Sequence, residues 1–383
     1  ASRCFSGHAR MIKKKILYVV STLSKSGPTF VLSNIVKFMD RDKFDVTVLT
    51  LSPEPQDTMA RYFSEALGVK VETLGFSRLR GLIEATSKVS QYTEKNGIDL
   101  IHAHGLRADW VVRGLKTLRV STLHNYPYSD YTMLFGKVSG TVLASIHLRC
   151  LKRIDHPVVV SKAVSEMLRE RNHCEIGFVR NGVDVSRSEC LERNTSRDKL
   201  NIDKNVTVFV SVGSLSRRKD PMTAISAFQK ANLKNAVLLF LGDGECRHAC
   251  ESVAARGQNI RLVGRVDNVQ EYLCASDYFL SASIAEGLPN SVLEAMAVGL
   301  PCVLSDIPPH REIHDLDPGS SLLFKVRDSD DMAASLDAIT KMDWEKMHDA
   351  SVNITHNYLS AEIMSNQYQE IYSRLLERVH STC

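Results

Sequence analysis

Two glutamates, Glu286 and Glu294, stand eight positions apart and could accept hydrogen bonds from the hydroxyl groups of a sugar or a ribose. A Gly-Leu-Pro-Asn turn at 287–290 lies between them. The next residues, Ser291–Val298, are almost wholly apolar and predict a buried helix that ends at Gly299. Because the first N–H groups of a helix have no partner within it, they could bind a phosphate. The segment therefore predicts two carboxylates beside an anion site.

Two short strands must position this turn. Tyr278–Ser283 predicts a buried strand before it, and Cys302–Ser305 predicts a second strand after the helix. A structural interpretation remains open, because Ser291 and Glu294 have the spacing of a capping box and Glu294 could simply satisfy its own helix end. Glu286 alone could be a solvated loop residue.

A lysine-bearing loop, Gly213–Lys219, offers a second possible phosphate contact. It falls between a predicted strand and a helix for which Asp220 and Pro221 are good first residues. At the carboxyl end of a strand, Lys219 could reach a diphosphate and neutralise its charge as it leaves. An ordinary surface lysine is the alternative interpretation.

The composition favours a water-soluble protein of two domains. The 383 residues exceed one ordinary hydrophobic core, and 44% of them are hydrophobic and 24% charged. No run approaches the ~20 apolar residues that a membrane-spanning helix needs. A net charge of +4 is too small to predict nucleic-acid binding, so none is expected. Residues 1–10 precede Met11 and are left out of the predicted fold.

The cysteines favour a reducing cytoplasm over a disulfide-stabilised fold, because they are scattered and nine in number. They are Cys4, Cys150, Cys174, Cys190, Cys246, Cys250, Cys274, Cys302 and Cys383. The Cys246-Arg-His-Ala-Cys250 cluster lacks the second ligand pair of a zinc site. Two Asp-x-Asp sequences, Asp40–Asp42 and Asp315–Asp317, fit turns better than a metal–diphosphate site. No metal or other cofactor is therefore expected.

Strands alternate with helices along both halves of the chain, which predicts parallel sheets covered on both faces. The other predicted strands are Ile16–Ser21, Asp45–Leu51, Val69–Leu74, Ile98–Ala103, Val120–Leu123, Pro157–Val160, Val206–Val212, Ala236–Leu241 and Ile260–Val263. The other predicted helices are Thr29–Met39, Asp57–Leu67, Leu79–Lys95, Ala108–Lys116, Met133–Lys152, Ala163–Arg171, Pro221–Ala231, Ala249–Ala254, Val269–Ala275 and Ala361–Val379. The polar stretch Asp184–Lys204 predicts a linker.

The region Ser283–Asp306 resembles the E-x7-E signature of family 4 glycosyltransferases, which are retaining enzymes of the GT-B fold that use nucleotide sugars. The Glu286–Asn290 core and the Glu-Ala-Met-Ala run that starts at Glu294 carry the match. The resemblance implies an α/β fold of two Rossmann-like, doubly wound domains that face a cleft. The implied parts are an acceptor-side domain at 11–183, a linker at 184–204, a nucleotide-sugar domain at 205–358, and a last helix at 359–383 that crosses back to the first domain.

The resemblance also implies roles for individual residues. Glu286 and His124 would contact the donor sugar, Glu294 the ribose, and Lys219 the diphosphate. The diphosphate would also meet the backbone of Leu288, Pro289, Asn290 and Ser291. The base would meet the backbone of Gly264, Arg265 and Val266.

Two further segments match the family less fully. The family has a glycine-rich loop that approaches the donor phosphate and the acceptor. Of its glycines, only Gly27 is present in this sequence. Ser214 stands where the family usually has an arginine, which leaves open whether Arg217 or Arg218 supplies the second phosphate charge. Of the histidines at strand ends, His124 is favoured over His104 as the residue that touches the donor sugar.

The resemblance therefore predicts an enzyme of the kind that builds bacterial surface polysaccharides. It would move a sugar from a nucleotide diphosphate, with a UDP-sugar expected, to a hydroxyl of a glycan or lipid-linked glycan acceptor, with Glu286, His124 and Lys219 in catalytic roles. A GT-B sugar-nucleotide epimerase and a non-catalytic sugar-nucleotide-binding protein remain alternatives. The expected location is the cytoplasm. The basic residues Lys13–Lys15, Arg78, Arg80 and Lys88 could support peripheral contact at the inner face of the cytoplasmic membrane, and an ordinary solvated face is the default interpretation of them.

Overall fold

The computed structural model describes residues 12–188, 192–231, 233–255 and 259–380. Met11, where the predicted fold begins, and Cys4, Cys190 and Cys383 lie outside these ranges. The chain forms two compact units. The first unit extends to residue 123 and includes 146–158 and the chain from 365 onward, whereas the second consists of 124–145 and 159–364. The domain boundaries at 183 and 204 stay predictions.

The first sheet is built from seven strands. They are β1 Lys14–Val20, β2 Phe44–Thr50, β3 Lys70–Thr73, β4 Leu100–His104, β5 Leu118–Leu123, β6 His156–Val159 and β7 Gly177–Phe178. Their order is β3-β2-β1-β4-β5-β6-β7, and the pairs among β1 to β5 are parallel. β1 is buried from Ile16 to Val20, as expected for an inner strand covered on both faces.

The helices of this half are α1 Gly27–Lys37, α2 Arg78–Asn96, α3 Leu106–Val112, α4 Pro127–Phe135, α5 Lys137–Leu151 and α6 Lys162–Asn172. The single helix predicted at Met133–Lys152 is wrong, because Gly136 adopts a φ of 83° and separates α4 from α5. The helix predicted at Asp57–Leu67 is also too long, since the regular element there is a π-helix, Tyr62–Ala66.

The second sheet has six strands: β8 Thr207–Val212, β9 Ala236–Leu241, β10 Ile260–Gly264, β11 Tyr278–Ser281, β12 Cys302–Ser305 and β13 Ser321–Phe324. Their order is β10-β9-β8-β11-β12-β13, and all neighbouring pairs are parallel. Val208 and Val210 pack into one hydrophobic cluster, whereas Phe209 packs into another. Both faces of this sheet are therefore covered, which confirms the predicted doubly wound arrangement.

The helices of this half are α7 Arg193–Lys199, α8 Pro221–Ala231, α9 Arg247–Ala254, α10 Val269–Ala275, α11 Asn290–Ala297, α12 Pro308–His314, α13 Ser329–Ile339 and α14 Trp344–Tyr358. α7 falls within the stretch predicted as a linker. It is held by Arg197, whose fully buried guanidinium donates to the carbonyl oxygen of Ala275 at 2.9 Å and to Oδ2 of Asp277 at 2.7 Å.

The last helix, α15 Ala361–His380, begins in the second unit and continues into the first. Its Tyr368 hydroxyl lies 2.8 Å from Oγ1 of Thr122, and its Tyr372 hydroxyl lies 2.6 Å from Nδ1 of His102. Each contact joins the helix to a buried strand of the first sheet. The predicted return of the last helix to the first domain is confirmed, and His102 serves this contact.

Cys150, Cys246, Cys250 and Cys302 are free thiols. Cys274 is disulfide-bonded, which departs from the expectation of reduced thiols. Across the described ranges, none of the helices combines the length and the apolar character needed to cross a membrane. The same ranges contain no group of three or more His, Cys, Asp or Glu side chains that could hold a metal ion.

Candidate active site

Glu286 lies in the loop that follows β11, and only 6% of its side chain is exposed. Both carboxylate oxygens meet a cation: Nζ of Lys219 is 2.7 Å from Oε1, and Nη1 of Arg218 is 2.7 Å from Oε2. Burial alone would raise the pKa of this carboxyl, but the two cations outweigh it and lower the pKa to about 2. Glu286 is therefore ionised at neutral pH, and the three side chains together keep one net positive charge.

Backbone contacts fix Arg218 beside the carboxylate. The N–H of Ile284 donates to the carbonyl oxygen of Arg218 at 2.8 Å, and Nη1 of Arg218 donates to the carbonyl oxygen of Ala285 at 3.0 Å. Arg217, by contrast, is exposed. Of the two arginines that the sequence left open, Arg218 is the one that lies beside Glu286.

Lys219 reaches the same carboxylate because the residues around it fix the loop. Gly213, at the end of β8, has a φ of 147°, and a Cβ at this position would lie 3.2 Å from Cε of Lys219. Asp220 has a φ of 44° and accepts a hydrogen bond from the hydroxyl of Thr223 at 2.7 Å. Pro221 is the first residue of α8, as predicted. The loop therefore ends in a defined turn directly after the lysine.

Helix α11 begins at Asn290, one residue before the predicted start. Pro289 occupies the N-cap position with φ −76° and ψ 111°. Because proline has neither a polar side chain nor an N–H group, the capping box that Ser291 and Glu294 could have formed does not exist here. Glu294 is half-buried and lies in the middle of the helix. The interpretation that Glu294 caps its own helix end is therefore wrong.

The turn between the two glutamates packs against the backbone of His124. A Cβ on Gly287 would lie 1.8 Å from the carbonyl oxygen of His124, so only glycine fits at this position. The hydroxyl of Ser161 donates to the carbonyl oxygen of Gly287 at 2.7 Å, and Nδ2 of Asn181 donates to that of Leu288 at 2.9 Å. These contacts place His124 next to the loop that carries Glu286.

Burial lowers the pKa of His124 to about 4, so its imidazole is neutral at physiological pH. A neutral imidazole can both donate and accept a hydrogen bond, which suits contact with a hydroxyl group. Ser161 and Asn181 were not predicted from the sequence. Ser161 could have been found, because it directly follows the strand predicted at Pro157–Val160.

A cavity of about 150 Å³ opens beside Glu286 within the second unit. Its polar lining comes from Asn125, Ser129, Asp130, Arg171, Arg218 and Glu286. Burial raises the pKa of Asp130, although Arg218 acts in the opposite direction. Two carboxylates and two guanidinium groups around one small cavity could bind a ligand that carries several hydroxyl groups.

Asp130 was not predicted as a site residue, because the predicted helix began only at Met133. The helix in fact begins at Pro127, a residue that favours the first helical position. Pro127 was the available signal for the start of the helix, and Asp130 lies one turn after it.

The segment predicted to meet the base lies at the carboxyl end of β10. Gly264, with a φ of 89°, ends that strand, and its carbonyl oxygen accepts a hydrogen bond from the N–H of Gly242 at 2.8 Å. Gly242 approaches Gly213 so closely that a Cβ would lie 1.9 Å from the carbonyl oxygen of Gly213. Arg265 and Val266 follow directly. The ends of β8, β9 and β10 thus form one continuous backbone surface on the second sheet.

The structure brings Glu286, Lys219, Arg218, His124 and the 287–291 turn together in the second unit. Gly27, which matched the glycine-rich loop, is the first residue of α1 and belongs to the first unit. His104 also belongs to the first unit, where its ring packs 4.4 Å from that of His102.

Two family models match most of the chain. The model for Glycosyltransferase Family 4 matches residues 26–187, and the model for Glycosyl transferases group 1 matches residues 206–341. The chain belongs to the family 4 glycosyltransferases. The second match spans the whole Arg218–Lys219–Glu286 cluster of this glycosyltransferase, and the first spans His124.

The curated relatives extend over nearly the same length. This glycosyltransferase is 24% identical over 378 residues to the O-antigen biosynthesis glycosyltransferase WclY of Escherichia coli, covering 95% of this chain and 99% of that protein. It is 22% identical over 354 residues to the UDP-Gal:alpha-D-GlcNAc-diphosphoundecaprenol alpha-1,3-galactosyltransferase of Escherichia coli, covering 82% and 88%.

Solved structures share the fold at low sequence identity. The sucrose-phosphate synthase of Thermosynechococcus elongatus superposes with a TM-score of 0.81 at 16% identity, over 95% of this chain and 100% of that one. Anabaena HepE in complex with UDP-glucose superposes with a TM-score of 0.79 at 19% identity, over 94% and 99%. These likenesses confirm the predicted GT-B fold of the glycosyltransferase.

Proposed function

We propose that this glycosyltransferase transfers a sugar, with retention of anomeric configuration, from a UDP-sugar to a hydroxyl of a glycan or lipid-linked glycan acceptor. The observation that carries the proposal is the buried Glu286 carboxylate held between Lys219 and Arg218 beside a cavity. Two cations next to the first turn of α11 form a site suited to a diphosphate. A cavity with two carboxylates is suited to the attached sugar.

The donor and acceptor classes are proposed from two similar proteins. Anabaena HepE was solved with UDP-glucose, which supports a UDP-sugar donor. The name of the Escherichia coli galactosyltransferase specifies UDP-Gal as donor and a diphosphoundecaprenol-linked sugar as acceptor, which supports a lipid-linked acceptor. We propose that the reaction takes place in the cytoplasm, at the inner face of the membrane, as part of surface polysaccharide synthesis.

The proposed roles follow the position of each group. Lys219 and Arg218 would neutralise the diphosphate as it leaves, together with the backbone N–H groups at the start of α11. Glu286 and the neutral His124 would bind hydroxyl groups of the donor sugar. Glu294, in the middle of α11, would bind the ribose hydroxyls. The backbone at Gly264–Val266 would contact the base.

In the proposed reaction, the bond between the anomeric carbon and the diphosphate oxygen breaks as the acceptor oxygen bonds to the same face of that carbon. The proton of the acceptor hydroxyl passes to the leaving diphosphate oxygen. The products are a glycoside and UDP, so atoms and charges balance. No side chain needs to act as a nucleophile, and no metal is required, because Lys219 and Arg218 stabilise the charge that develops on the diphosphate.

The experiment that tests the proposal is incubation of the protein with radiolabelled UDP-sugars, with and without a lipid-linked glycan acceptor. Label transferred to the acceptor supports the proposal. Interconversion of the nucleotide sugar without acceptor would identify an epimerase instead. Binding without either reaction would identify a non-catalytic sugar-nucleotide-binding protein.

A further inference from the structure

A cluster of buried polar side chains lies next to the loop that carries Glu286. Its members are the last residues of β11 and β12, one residue of the Glu286 loop and one residue of α12, namely Ser281, Ser305, Ser283 and His310. The exposed fraction is 6% for Ser281 and 0% for the other three. We call these four residues the serine–histidine cluster. All of them belong to the second unit, as Glu286 does.

The imidazole of His310 joins the ends of the two strands. Its Nδ1 lies 2.8 Å from the carbonyl oxygen of Ser305, and its Nε2 lies 3.4 Å from Oγ of Ser281. Because a carbonyl oxygen can only accept a hydrogen bond, Nδ1 carries the proton, and Nε2 is left to accept from the Ser281 hydroxyl. Burial lowers the pKa of His310 to about 4, although Glu286 acts in the opposite direction. The ring is therefore neutral at physiological pH.

The cluster also holds the residue that meets the Glu286 carboxylate. The Ser305 hydroxyl donates to the carbonyl oxygen of Ser283, and Oγ of Ser283 lies 3.2 Å from Oγ of Ser281. Burial raises the pKa of Glu286 and its two cations lower it, and a hydrogen bond from the Ser283 hydroxyl lowers it further. Ser283 thus contacts the strand ends through its backbone and the carboxylate through its side chain.

Folding alone does not call for polar groups at this place. Phe279, two residues before Ser281 and on the same face of β11, belongs to a hydrophobic cluster that also contains Ile313 of α12. Apolar side chains could extend that core, because replacing both partners of a buried hydrogen bond by apolar groups of the same shape is nearly neutral in stability. What the polar side chains add is a fixed geometry at the strand ends, since a satisfied buried network rigidifies its surroundings.

We propose that His310 is a positioning residue for Glu286. The imidazole fastens the ends of β11 and β12 to each other, so that the Ser283 hydroxyl meets the carboxylate from a fixed backbone. The inference rests on the proposed function in one respect, because the carboxylate held in this way is the one proposed to bind the donor sugar. Its position can be measured without any donor, so the two proposals can fail separately.

The first test is a double-mutant cycle of the full chain in urea unfolding, with Glu286→Gln and His310→Leu. Glu286→Gln should raise the unfolding equilibrium constant by a factor about tenfold smaller in the His310→Leu background than in the wild type, because the carboxylate is then no longer held where both cations reach it. His314→Leu is the matched control, since His314 lies on the same helix but its Nδ1 is 3.1 Å from Oγ of Ser321 on β13. In that background Glu286→Gln should act as it does in the wild type.

The second test is calorimetric binding of UDP and of the UDP-sugar that the radiolabel experiment identifies as donor. His310→Leu should bind the UDP-sugar about tenfold more weakly and UDP within about twofold of the wild type, because the sugar is the part proposed to contact Glu286. A merely structural role would change both affinities alike or neither. His310→Asn keeps a donor at the position of Nδ1 and should regain part of the lost affinity.

Additive effects of His310→Leu and Glu286→Gln on unfolding would overturn the proposal. So would a folded His310→Leu variant that binds the UDP-sugar as the wild type does. If His310→Leu does not fold, the same cycle and binding measurements with His310→Asn decide the matter in the same way. A wild type that shows the coupling in unfolding but binds neither UDP nor any UDP-sugar would instead refute the proposed function, and the positioning of Glu286 would stand.

Discussion

Nζ of Lys219 lies 2.7 Å from Oε1 of Glu286, so the cation proposed for the diphosphate is positioned by the carboxylate proposed for the donor sugar. Arg218 completes the arrangement from the other carboxylate oxygen. A buried carboxylate left without these cations would be costly to ionise. The two functions are therefore coupled: a change at Glu286 removes the partner of both cations, and a change at either cation removes one of the two partners of Glu286.

The first prediction concerns the pH dependence of stability. The pKa of Glu286 is about 2 in the folded protein against an ordinary value of 4.5, so its ion pairs stabilise the fold above pH 4.5 and are lost as the pH falls towards 2. At neutral pH the free energy of unfolding of the wild type should exceed that of the Glu286→Gln variant by on the order of 3 kcal/mol. Urea unfolding at a series of pH values measures this difference. A gap that stays constant down to pH 3 would contradict the assigned ion pairs.

The second prediction concerns the turn between the glutamates. Gly287→Ala should destabilise the second unit by about 1–3 kcal/mol, because its methyl group would overlap the carbonyl oxygen of His124. Gly177→Ala is the matched control, since a Cβ there meets nothing within 4 Å. Its effect should stay within about 0.5 kcal/mol. Urea unfolding of both variants makes the comparison, and equal stabilities would mean that the turn does not pack as described.

The third prediction concerns the cavity. Asp130→Asn keeps the size of the side chain and removes its charge, so it should raise KM for the sugar substrate about tenfold through loss of a charged hydrogen bond. Asp337→Asn on α13 is the control, because about half of the Asp337 side chain is exposed and its ion pair is with Lys341, just beyond the end of that helix. Steady-state kinetics of both variants decide the matter. Unchanged kcat and KM for Asp130→Asn would show that the cavity does not bind the sugar.

The sequence was sufficient for the features that depend on local patterns. The strands and helices around Lys219 and Glu286 lie within two residues of their predicted bounds, because alternating burial and the Asp220-Pro221 start are local signals. Asn181 could not be assigned in this way, and for Asp130 the local signal at Pro127 marks the start of α4 but not the elements that pack against it. Each reaches the site through the packing of elements far apart in the chain, and the glycine break at Gly136 that would have corrected α4 looked like an ordinary residue within an apolar helix.

The fourth prediction concerns metals. Turnover should be nearly unchanged by EDTA, because Lys219 and Arg218 would supply the positive charge that a divalent cation supplies elsewhere. The rate is measured with the chelator and again after manganese or magnesium is added. Activity that the chelator abolishes and either ion restores would contradict the metal-independent mechanism.

The most direct test of the account is kcat of Lys219→Ala at saturating donor, compared with Arg217→Ala. Lys219 contacts Glu286, whereas Arg217 is an exposed cation two positions earlier in the same loop. If Lys219 neutralises the leaving diphosphate, its removal should lower kcat by ~100-fold, or about 3 kcal/mol. The melting temperature should also fall, because the buried carboxylate of Glu286 then loses one of its two cations. Arg217→Ala should leave kcat close to that of the wild type. A folded Lys219→Ala enzyme with near-normal kcat would contradict the role given to this lysine and, with it, the proposed centre of the reaction.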